Sequence, residues 1–489
     1  IKNSSDLGSS VKPDISGGTL LIDQSATISS NFTVNAASTN TIDANGKSAV
    51  ISGVISNQGS SAGTITVADS SGGGAITLTG TNTYTGATTV GSGGTLKLSG
   101  SGSIASSSAV VLQGTLDISG INSSASIQTV SGSGTLALGS KSLTLTAASG
   151  TFSGVITGAG SVAVSGGNLT LSGTNTFSGG VTVSAGATIT AASSLALGTG
   201  TLSLIGSVGT SAIIVMRDGV ILANNIYVEA DPTFTTPLGE TTTVSGLIYG
   251  TGDVVVNGSG TTKFSNLNTY TGPTIINSSA TMVLTSTGSI SNSSSLTNNG
   301  TFDITAKTGT VYLAGDYTQS STGTLAMALS STSSTNISVA GTASLGGTLY
   351  FSKASVGTHK ILTASSVTGT FSSVTVNGLD SGLISVSYAT AGEVNLTISS
   401  SSTNTLNALT SSADAVRHVL DSRVTAISGT LAYDCTYFDK KGVCAWYQAR
   451  YGNFNELSEG AGILIASYKL SDSVRFGAFV DYRGTESGP

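Results

Sequence analysis

The sequence has little charge and few cysteines or histidines for its length. Of its 489 residues 9% are charged, and it contains 2 cysteines and 2 histidines. The low charge excludes a dense basic surface for nucleic acid. Two cysteines are too few for a disulfide framework, and His359 and His418 lie too far from each other and from the cysteines to indicate a metal site. We therefore expect no nucleic-acid partner, no metal and no cofactor.

Long apolar runs and catalytic motifs are also missing. No run of about eighteen apolar residues could span a bilayer as a helix, and the opening IKNSSDLGSS lacks the regions of a signal peptide. No G-x-S-x-G, G-D-S-G, H-E-x-x-H or Walker pattern occurs. Glu229 and Asp231 are two residues apart, which suits acid–base work or Ca²⁺, but a polysaccharide-cleaving cleft needs several clustered acids and bases. We predict no catalytic residue and no small-molecule substrate.

What the sequence has in abundance is glycine, with 65 residues, together with serine, threonine and alternating apolar residues. The motif G-T-[LF]-x-[hydrophobic] starts at Gly94, Gly114, Gly134, Gly200, Gly300, Gly323 and Gly347. The first three copies are twenty residues apart, and in each the residues alternate as in a strand with one buried face. A fixed period near twenty with Gly-, Ser- and Asn-rich corners is typical of stacked parallel coils.

This period predicts an all-β chain in which residues from about 15 to 398 form a right-handed parallel β-helix, a solenoid. At roughly 20 residues and ~4.8 Å per coil, we expect about 19 coils and a rod about 90 Å long. Lys97 and Asp117 both occupy the fourth place of GTLxL, so we expect them side by side on adjacent coils. Their exposed ion pair should contribute at most about 1 kcal/mol.

A second repeat, with a longer period, overlies the coils. GTNTYTGATTV at 80–90 returns as GTNTFSGGVTV at 173–183 and as NLNTYTGPTII at 266–276, each 93 residues after the last. Its signature positions are Asn82, Tyr84, Gly86, Asn175, Phe177, Gly179, Asn268, Tyr270 and Gly272. We predict a structural role, since Asn, Thr and Gly suit corners, the ring can stack in or against the next turn, and T-T-V can start a strand. The alternative is a sugar or peptide site built on the three aromatic residues.

The segment from Ser211 to Gly250 departs from the coil pattern. It combines a stronger apolar run, a D-G turn and two of the five prolines with a concentration of charge. We predict a hairpin or an irregular coil that protrudes from the rod. The charged residues at issue are Arg217, Asp218, Glu229 and Asp231. They form either a solvated loop or a contact surface for a ligand, and Ser29 to Gly120 is the other candidate surface.

The composition changes from about Ser399, where charged residues become more frequent. Apolar residues at steps of three and four predict an amphipathic helix over about 405–428. Its charges forbid direct contact with lipid, so it either lies in the water-filled interior of another structure or packs on the end of the rod. Cys435 and Cys444 are nine residues apart and form either a disulfide in an oxidising compartment or two free thiols.

Three segments near the end of the sequence alternate apolar and polar residues over about ten positions each. They read VCAWYQARYGN, GAGILIASYKL and SVRFGAFVDYR, and short polar turns separate them. Alternation of this length with aromatic residues near the ends is the pattern of outer-membrane β-barrel strands. We therefore predict that the sequence contains the start of such a barrel and is truncated there.

With these parts in place, the chain resembles a classical autotransporter, a type V secretion protein of Gram-negative bacteria, over nearly its whole length. The NT[YF][TS]G copies resemble autotransporter-associated β-strand repeats, the helix resembles the one held in the barrel pore, and AWYQARYGNF and RFGAFVDYR resemble opening barrel strands. The resemblance implies a β-helical passenger at 1–322, an autochaperone-like junction at 323–398, a linker with a pore-type helix at 399–432 and a truncated barrel start at 433–489.

The resemblance also implies a function at the cell surface. We expect a secreted, non-enzymatic passenger rod, displayed on the outer membrane through its own barrel with the help of the barrel-assembly machinery. The rod would act as an adhesin with a role in virulence, in adhesion to a host or matrix surface, autoaggregation or biofilm-type self-association. Two alternatives remain: a stalk for an enzyme or toxin module upstream, and a structural lattice or filament protein of the cell surface.

Overall fold

The computed structural model describes residues 2, 12–37, 40–329, 335–400, 407–420, 438–454, 457–471 and 474–487. The chain divides into two compact units, Ile1–Ser399 and Ser400–Pro489. The first unit is a parallel β-solenoid, and the described part of the second contains a helix and an antiparallel sheet. The prediction of an all-β solenoid is therefore confirmed.

One face of the solenoid, which we call the first face, is a continuous parallel sheet in which each strand pairs with the next one along the chain. Its strands are Thr19–Leu21, Thr41–Asp43, Ile65–Ala68, Thr88–Val90, Val110–Leu112, Val130–Gly132, Thr151–Phe152, Asn168–Leu171, Thr188–Ala191, Ile213–Met216, Thr233–Thr235, Val254–Asn257, Thr274–Ile276, Ser295–Asn298, Asp316–Gln319, Thr342–Leu345 and Ser366–Gly369.

The seventeen strands of the first face define sixteen turns, so the prediction of about 19 coils is wrong. Thr19 and Ser366 begin the first and last of these strands, which gives roughly 22 residues per turn instead of twenty. The corners vary in length, and strand residues in register on neighbouring coils are as few as 18 and as many as 27 positions apart. At ~4.8 Å per turn the stack is about 77 Å tall.

The second face consists of two parallel ladders separated by a gap. The first ladder contains Ala26–Ile28, Ser48–Ile51, Ala75–Leu78, Thr95–Gly100, Thr115–Ile121, Thr135–Ala137 and Val155–Thr157. The second contains Ile221–Leu222, Thr241–Val244, Thr261–Phe264, Thr281–Leu284, Thr301–Asp303, Thr324–Met327, Thr348–Phe351 and Ser373–Val376.

The third face is broken twice, into ladders of three, seven and five strands. The first two ladders are parallel and contain Asp14–Ile15, Phe32–Val34 and Ile55–Asn57, and then Ala125–Ile127, Leu143–Leu145, Val162–Val164, Val181–Ser184, Leu202–Ile205, Ile226–Glu229 and Ile248–Gly250. The last ladder contains Thr310–Leu313, Asn336–Val339, Gly357–Thr363, Ile384–Ser387 and Glu393–Ile398, with a 3₁₀ turn at Ser381–Leu383.

Antiparallel pairing ends the last of these ladders. Gly357–Thr363 pairs in parallel with the preceding coil on one side and antiparallel with Glu393–Ile398 on the other. Ile384–Ser387 then pairs antiparallel with the free side of Glu393–Ile398. These strands cover backbone groups that would otherwise form an exposed sheet edge. They lie in the predicted 323–398 junction, whose autochaperone-like role stays a prediction.

The core is a set of apolar columns along the inside of the coils. Leu96, Leu116, Leu136 and Ile156 are partners in register on four successive second-face strands, and each is at most 1% exposed. Side chains alternate between the two sides of a strand, so the G-T-L-x-L pattern sends its leucines inward and its polar residues outward. Burial of one such side chain stabilises the fold by about 1.5–3 kcal/mol.

The predicted neighbours Lys97 and Asp117 are partners in register, as the twenty-residue period requires. The predicted ion pair is wrong, because no salt bridge joins these two described residues. An Asp117 carboxylate oxygen instead accepts a 2.9 Å hydrogen bond from the backbone N–H of Ser119. This local turn satisfies the carboxylate within its own coil, whereas an exposed ion pair would contribute little.

The 211–250 window forms two regular coils, so the prediction of a protruding hairpin or irregular coil is wrong. Its strands all pair in parallel with strands of neighbouring coils, and only Ile221–Leu222 and Ile248–Gly250, which lie at ladder ends, pair on one side alone. Ala212, Ile214 and Met216 of the strong apolar run point inward and are fully buried. The run is therefore a solenoid strand, and the charged residues lie at strand ends and corners.

The second unit contains a helix at 407–420, and the rest of the predicted span of 405–428 lies outside the described residues. No helix in the described ranges is long and apolar enough to cross a membrane. Three antiparallel strands follow, Val443–Phe454, Leu457–Ser471 and Val474–Ser487. Cys444 is disulfide-bonded, and its predicted partner Cys435 lies outside the described residues.

Candidate functional site

The three signature copies form three corners of the solenoid at which a coil lacks one strand. We call them the first, middle and last corners, residues 80–87, 173–180 and 266–273. The first and last corners take the place of third-face strands, whereas the middle corner takes the place of a second-face strand. The two intervals of 93 residues do not span equal numbers of turns, so the middle copy lies on another face although the first and last copies share one.

Each corner follows the last strand of an interrupted ladder and completes its hydrogen bonding. The bonds run from Ile55 N to Asn82 Oδ1 (2.9 Å), from Ile156 N to Asn175 Oδ1 (2.7 Å) and from Ile248 N to Asn268 Oδ1 (2.9 Å). In an unbroken ladder a backbone carbonyl of the next strand would accept these N–H groups. The asparagine side chain therefore substitutes for the missing strand, and all three asparagines are at most 3% exposed.

The same asparagines also bind the coil that follows. Asn82 donates from its backbone N–H and from Nδ2 to the carbonyl of Ser103, each at 3.0 Å. Asn175 donates from Nδ2 to the carbonyl of Ala196 and from its backbone to Leu195. In the last corner only the backbone of Asn268 makes this link, because its buried Nδ2 has no partner. Each asparagine thus joins three successive coils.

The signature glycines are required by close approach of one coil to the next. A Cβ added to Gly86, Gly179 or Gly272 would lie 2.3 to 2.5 Å from the nearest backbone atom of the preceding coil. Real Cβ atoms do not approach backbone so closely, and none of the three has a positive φ. The glycine therefore permits contact between coils and is not needed for a left-handed turn.

Two of the three aromatic residues take part in a buried hydroxyl chain. The hydroxyl of Tyr84 lies 2.6 Å from that of Thr88, which donates at 2.9 Å to Ser107 on the next coil. Tyr270, Thr274 and Ser293 repeat this arrangement in the last corner at 2.6 and 2.8 Å. Burial raises the pKa of both tyrosines well above the ordinary value, so they remain neutral.

The middle corner omits this hydroxyl chain as a unit. Phe177 replaces the tyrosine, and the residue four positions later is Val181 where the other corners have threonine. Phe177 is fully buried, so a hydroxyl on its ring would need a partner there. The middle corner therefore lacks both the tyrosine hydroxyl and the threonine hydroxyl that is its partner in the other two corners.

The signature residues are thus brought together only within each corner, and their aromatic rings are not presented to solvent. Tyr84 and Tyr270 are 1% exposed, and Phe177 is fully buried. A sugar or peptide site on these rings would require the coils to open. The hydroxyl partners Thr88, Ser107, Thr274 and Ser293 were not singled out from the sequence. The four-residue step from aromatic residue to Thr or Val was the signal that could have found them.

The charged residues of the 211–250 window fall into two groups. Arg217 lies on one corner, where its guanidinium is 2.7 Å from the carboxylate of Glu240 on the next coil. Asp218 accepts the backbone N–H of Thr241 at 2.9 Å. Both residues therefore tie neighbouring corners together.

Glu229 and Asp231 lie elsewhere on the same coil, at the end of a third-face strand. Glu229 is exposed, and Asp231 accepts the backbone N–H of Gly209 at 2.6 Å. The backbone N–H of Asp231 donates to Asp253 on the next coil at 2.7 Å. Burial, with a smaller contribution from Asp231, raises the pKa of Asp253. Their role as a contact surface stays a prediction.

No clustered catalytic or metal-binding group occurs in the part of the chain that the structure describes. His359 Nε2 lies 2.8 Å from the carbonyl of Ser355 in an antiparallel strand. His418 lies on the exposed 407–420 helix of the other unit. No group of three or more His, Cys, Asp or Glu side chains among the described residues could hold a metal ion.

The comparisons with known proteins identify the repeated corners. The passenger-associated-transport-repeat model matches residues 71–98, 162–189 and 254–284, together under a fifth of the chain. Each match contains one signature corner with its asparagine, aromatic residue and glycine. No curated protein and no solved structure matches the chain.

The description of this family associates its repeats with the transport of passengers. These repeats imply outer-membrane secretion machinery as a partner and the outer membrane or cell surface of a Gram-negative bacterium as the location. The three repeats lie on a parallel β-solenoid, as the resemblance implied. Together, the three family-model matches and the parallel β-solenoid support an autotransporter passenger.

Proposed function

We propose that the chain is a surface-displayed passenger rod that works as an adhesin, in autoaggregation or biofilm-type self-association. The proposal includes export through a C-terminal outer-membrane barrel. In it, the 407–420 helix belongs to the pore-type segment, and the three strands that follow form the start of the barrel. Rows of outward hydroxyl groups, in register over many coils, are the observation that carries it.

The longest such row on the second face, which we call the C-terminal hydroxyl row, contains Thr241, Thr261, Thr281, Thr301, Thr324 and Thr348. A shorter row on the first face, the N-terminal hydroxyl row, contains Thr19, Thr41, Thr66 and Thr89. Residues of both rows are partners on successive coils, so their hydroxyls repeat at about the ~4.8 Å coil spacing.

Such rows suit contact between two copies of the rod. A hydroxyl both donates and accepts hydrogen bonds, so identical rows are complementary to each other. The formal net charge of −6 over 489 residues offers little repulsion between copies. Each contact is weak because it replaces a bond to water, but many contacts along one rigid face add through multivalency.

The test is settling of Gram-negative cells that display the chain with a complete barrel. We expect deletion of residues 15–398 to abolish settling, and the triple variant Thr261→Lys, Thr281→Lys, Thr301→Lys to reduce it strongly through like-charge repulsion. The matched control is Thr41→Lys, Thr66→Lys, Thr89→Lys in the N-terminal hydroxyl row. Protease shaving of the cells verifies display of each variant.

The outcomes separate the parts of the proposal. Loss of settling with the control variant alone would move the contact to the N-terminal hydroxyl row. Equal settling of the deleted and complete chains, both displayed, would contradict adhesion and leave the rod as a passive stalk.

A further inference from the structure

Two tyrosines form an outward aromatic pair on the third face. Tyr227 and Tyr249 are partners in register on the strands Ile226–Glu229 and Ile248–Gly250. Their ring centroids are 5.6 Å apart with an interplanar angle of 54°, and both side chains are half-buried. The other close ring pair among the described residues, Phe234 with Phe264, lies in the core.

The pair interrupts a row of small residues. The same outward row on the preceding coils reads Thr144, Ala163, Thr182 and Ser203. Contact between two large rings stabilises the ladder only modestly beyond their burial. Leu267, in the corner that follows, is 66% exposed. The end of this ladder therefore presents an aromatic platform that the inward core does not require.

Carboxylate oxygens border the platform on one side. Glu229 is exposed and lies two positions after Tyr227, so it points outward from the same strand. Asp231 and Asp253 follow at the strand ends of the same two coils. Each uses one carboxylate oxygen to accept a backbone N–H, from Gly209 and from Asp231 respectively.

We propose that Tyr227 and Tyr249, with Glu229 beside them, bind a glycan built of neutral or amino sugars. The apolar C–H face of a sugar ring packs on the face of an aromatic ring, and successive tyrosines suit successive sugar units of a chain that runs along the rod. The sugar hydroxyls or ammonium groups donate to the carboxylates. The same carboxylates repel sulfated or sialylated sugars. The site does not depend on self-association, because the hydroxyl rows share no residue with it.

Binding is measured by calorimetry on the purified 489-residue chain with cellohexaose, chitohexaose, a glucosamine hexamer and a sulfated oligosaccharide. We expect at least one of the first three to bind and the sulfated probe not to bind. The double variant Tyr227→Ala, Tyr249→Ala should lose at least tenfold in affinity. Tyr312→Ala is the matched control, because Tyr312 is an outward tyrosine, 62% exposed, on another part of the third face.

A second variant guards against misfolding. Glu229→Lys changes an exposed side chain only, and it should weaken binding of the glucosamine hexamer at least threefold with an unchanged circular dichroism spectrum. The proposal fails if the wild-type chain binds none of the three uncharged or basic probes. It also fails if the folded double variant binds as tightly as the wild type, or if only the sulfated probe binds. The variants used in the settling test retain both tyrosines. A failure of the settling test and a failure of the glycan-binding test can therefore be told apart.

Discussion

The first face of the solenoid and its two other faces are built differently. The first face runs unbroken through seventeen strands, whereas the second face breaks once and the third face twice. Each of these three breaks begins at one signature corner, and the next coil lacks the same strand. The signature is thus not a strand sequence: its asparagine completes the ladder that has just ended and binds the next coil. A motif repeated within one chain can mark the places where the regular structure stops.

The three corners also differ among themselves. The asparagine and glycine occur in all three, because both contact backbone that every coil possesses. The tyrosine hydroxyl occurs only where a threonine follows four residues later. Contacts with backbone therefore account for the residues that all three corners share. Contacts between side chains account for the aromatic residue and its partner four positions later, which differ together in the middle corner.

The largest expected effect comes from Asn82→Leu. The change leaves the buried N–H of Ile55 without an acceptor and removes the bond from Nδ2 to Ser103, at a cost of about 2–4 kcal/mol in local stability. We expect faster hydrogen exchange in peptides that contain Ile55, measured by mass spectrometry. Global unfolding is a weaker measure, because coils contact only their neighbours.

Two controls sharpen this comparison of corners. Thr83→Leu alters an exposed neighbour of Asn82 and should leave exchange unchanged. Asn268→Leu also removes the acceptor of the Ile248 N–H but should cost less than Asn82→Leu, because Nδ2 of Asn268 has no hydrogen bond to lose. Equal protection of the Ile55 peptide in the wild type and Asn82→Leu would refute the role of the side chain as a substitute strand.

The next effect is Gly86→Ala, which places a methyl group 2.4 Å from the carbonyl oxygen of Gly63. The coils must separate locally, and we expect a loss of about 1–3 kcal/mol. Gly18→Ala is the matched control, since a Cβ there meets nothing within 4 Å. Differential scanning calorimetry should show a lowered first transition for Gly86→Ala alone. Identical thermograms for the two variants would contradict the close approach.

Introduction of the tyrosine–threonine pair of the outer corners into the middle corner should change stability less than Gly86→Ala does. The effects of its two substitutions should depend on each other. Phe177→Tyr buries a hydroxyl beside Val181 and should cost about 1–2 kcal/mol. Val181→Thr in the same chain supplies the partner found in the other corners and should recover part of that loss. The double-mutant cycle, read by hydrogen exchange in the middle corner, should give a favourable coupling energy of about 0.5–1.5 kcal/mol. Additive effects would show that the two residues vary independently.

The sequence predicted strands and register well and the corners poorly. Alternation in G-T-L-x-L places Leu96 and Leu116 inward, and the twenty-residue step correctly aligns Lys97 with Asp117. The coil count failed because corner lengths follow loops that carry no periodic signal. The position of Asn82 beneath Ile55 could not be predicted either. It depends on the stacking of its corner on a ladder strand that lies 27 residues earlier in the chain, a tertiary fact that neither segment encodes alone.

The smallest expected effect is a pH dependence of stability that arises from the first and last corners, which contain tyrosine, and not from the middle corner, which contains phenylalanine. The pKa of Tyr84 and of Tyr270 is raised above the ordinary 10.0 by burial, so both states are neutral below pH 10. Above pH 10 the unfolded chain loses these protons first, and each tyrosine then lowers stability by up to about 1.4 kcal/mol per pH unit.

Tyr84→Phe with Tyr270→Phe removes this pH dependence but also removes one hydrogen bond from each outer corner, at about 0.5–1.5 kcal/mol apiece at neutral pH. The double variant should therefore unfold at a lower urea concentration than the wild type at pH 8, and the difference should shrink and reverse near pH 11. Urea midpoints by circular dichroism from pH 8 to 11.5 measure the crossing. Parallel curves over that range would mean that both tyrosines ionise while folded, which their burial in the hydroxyl chain does not permit.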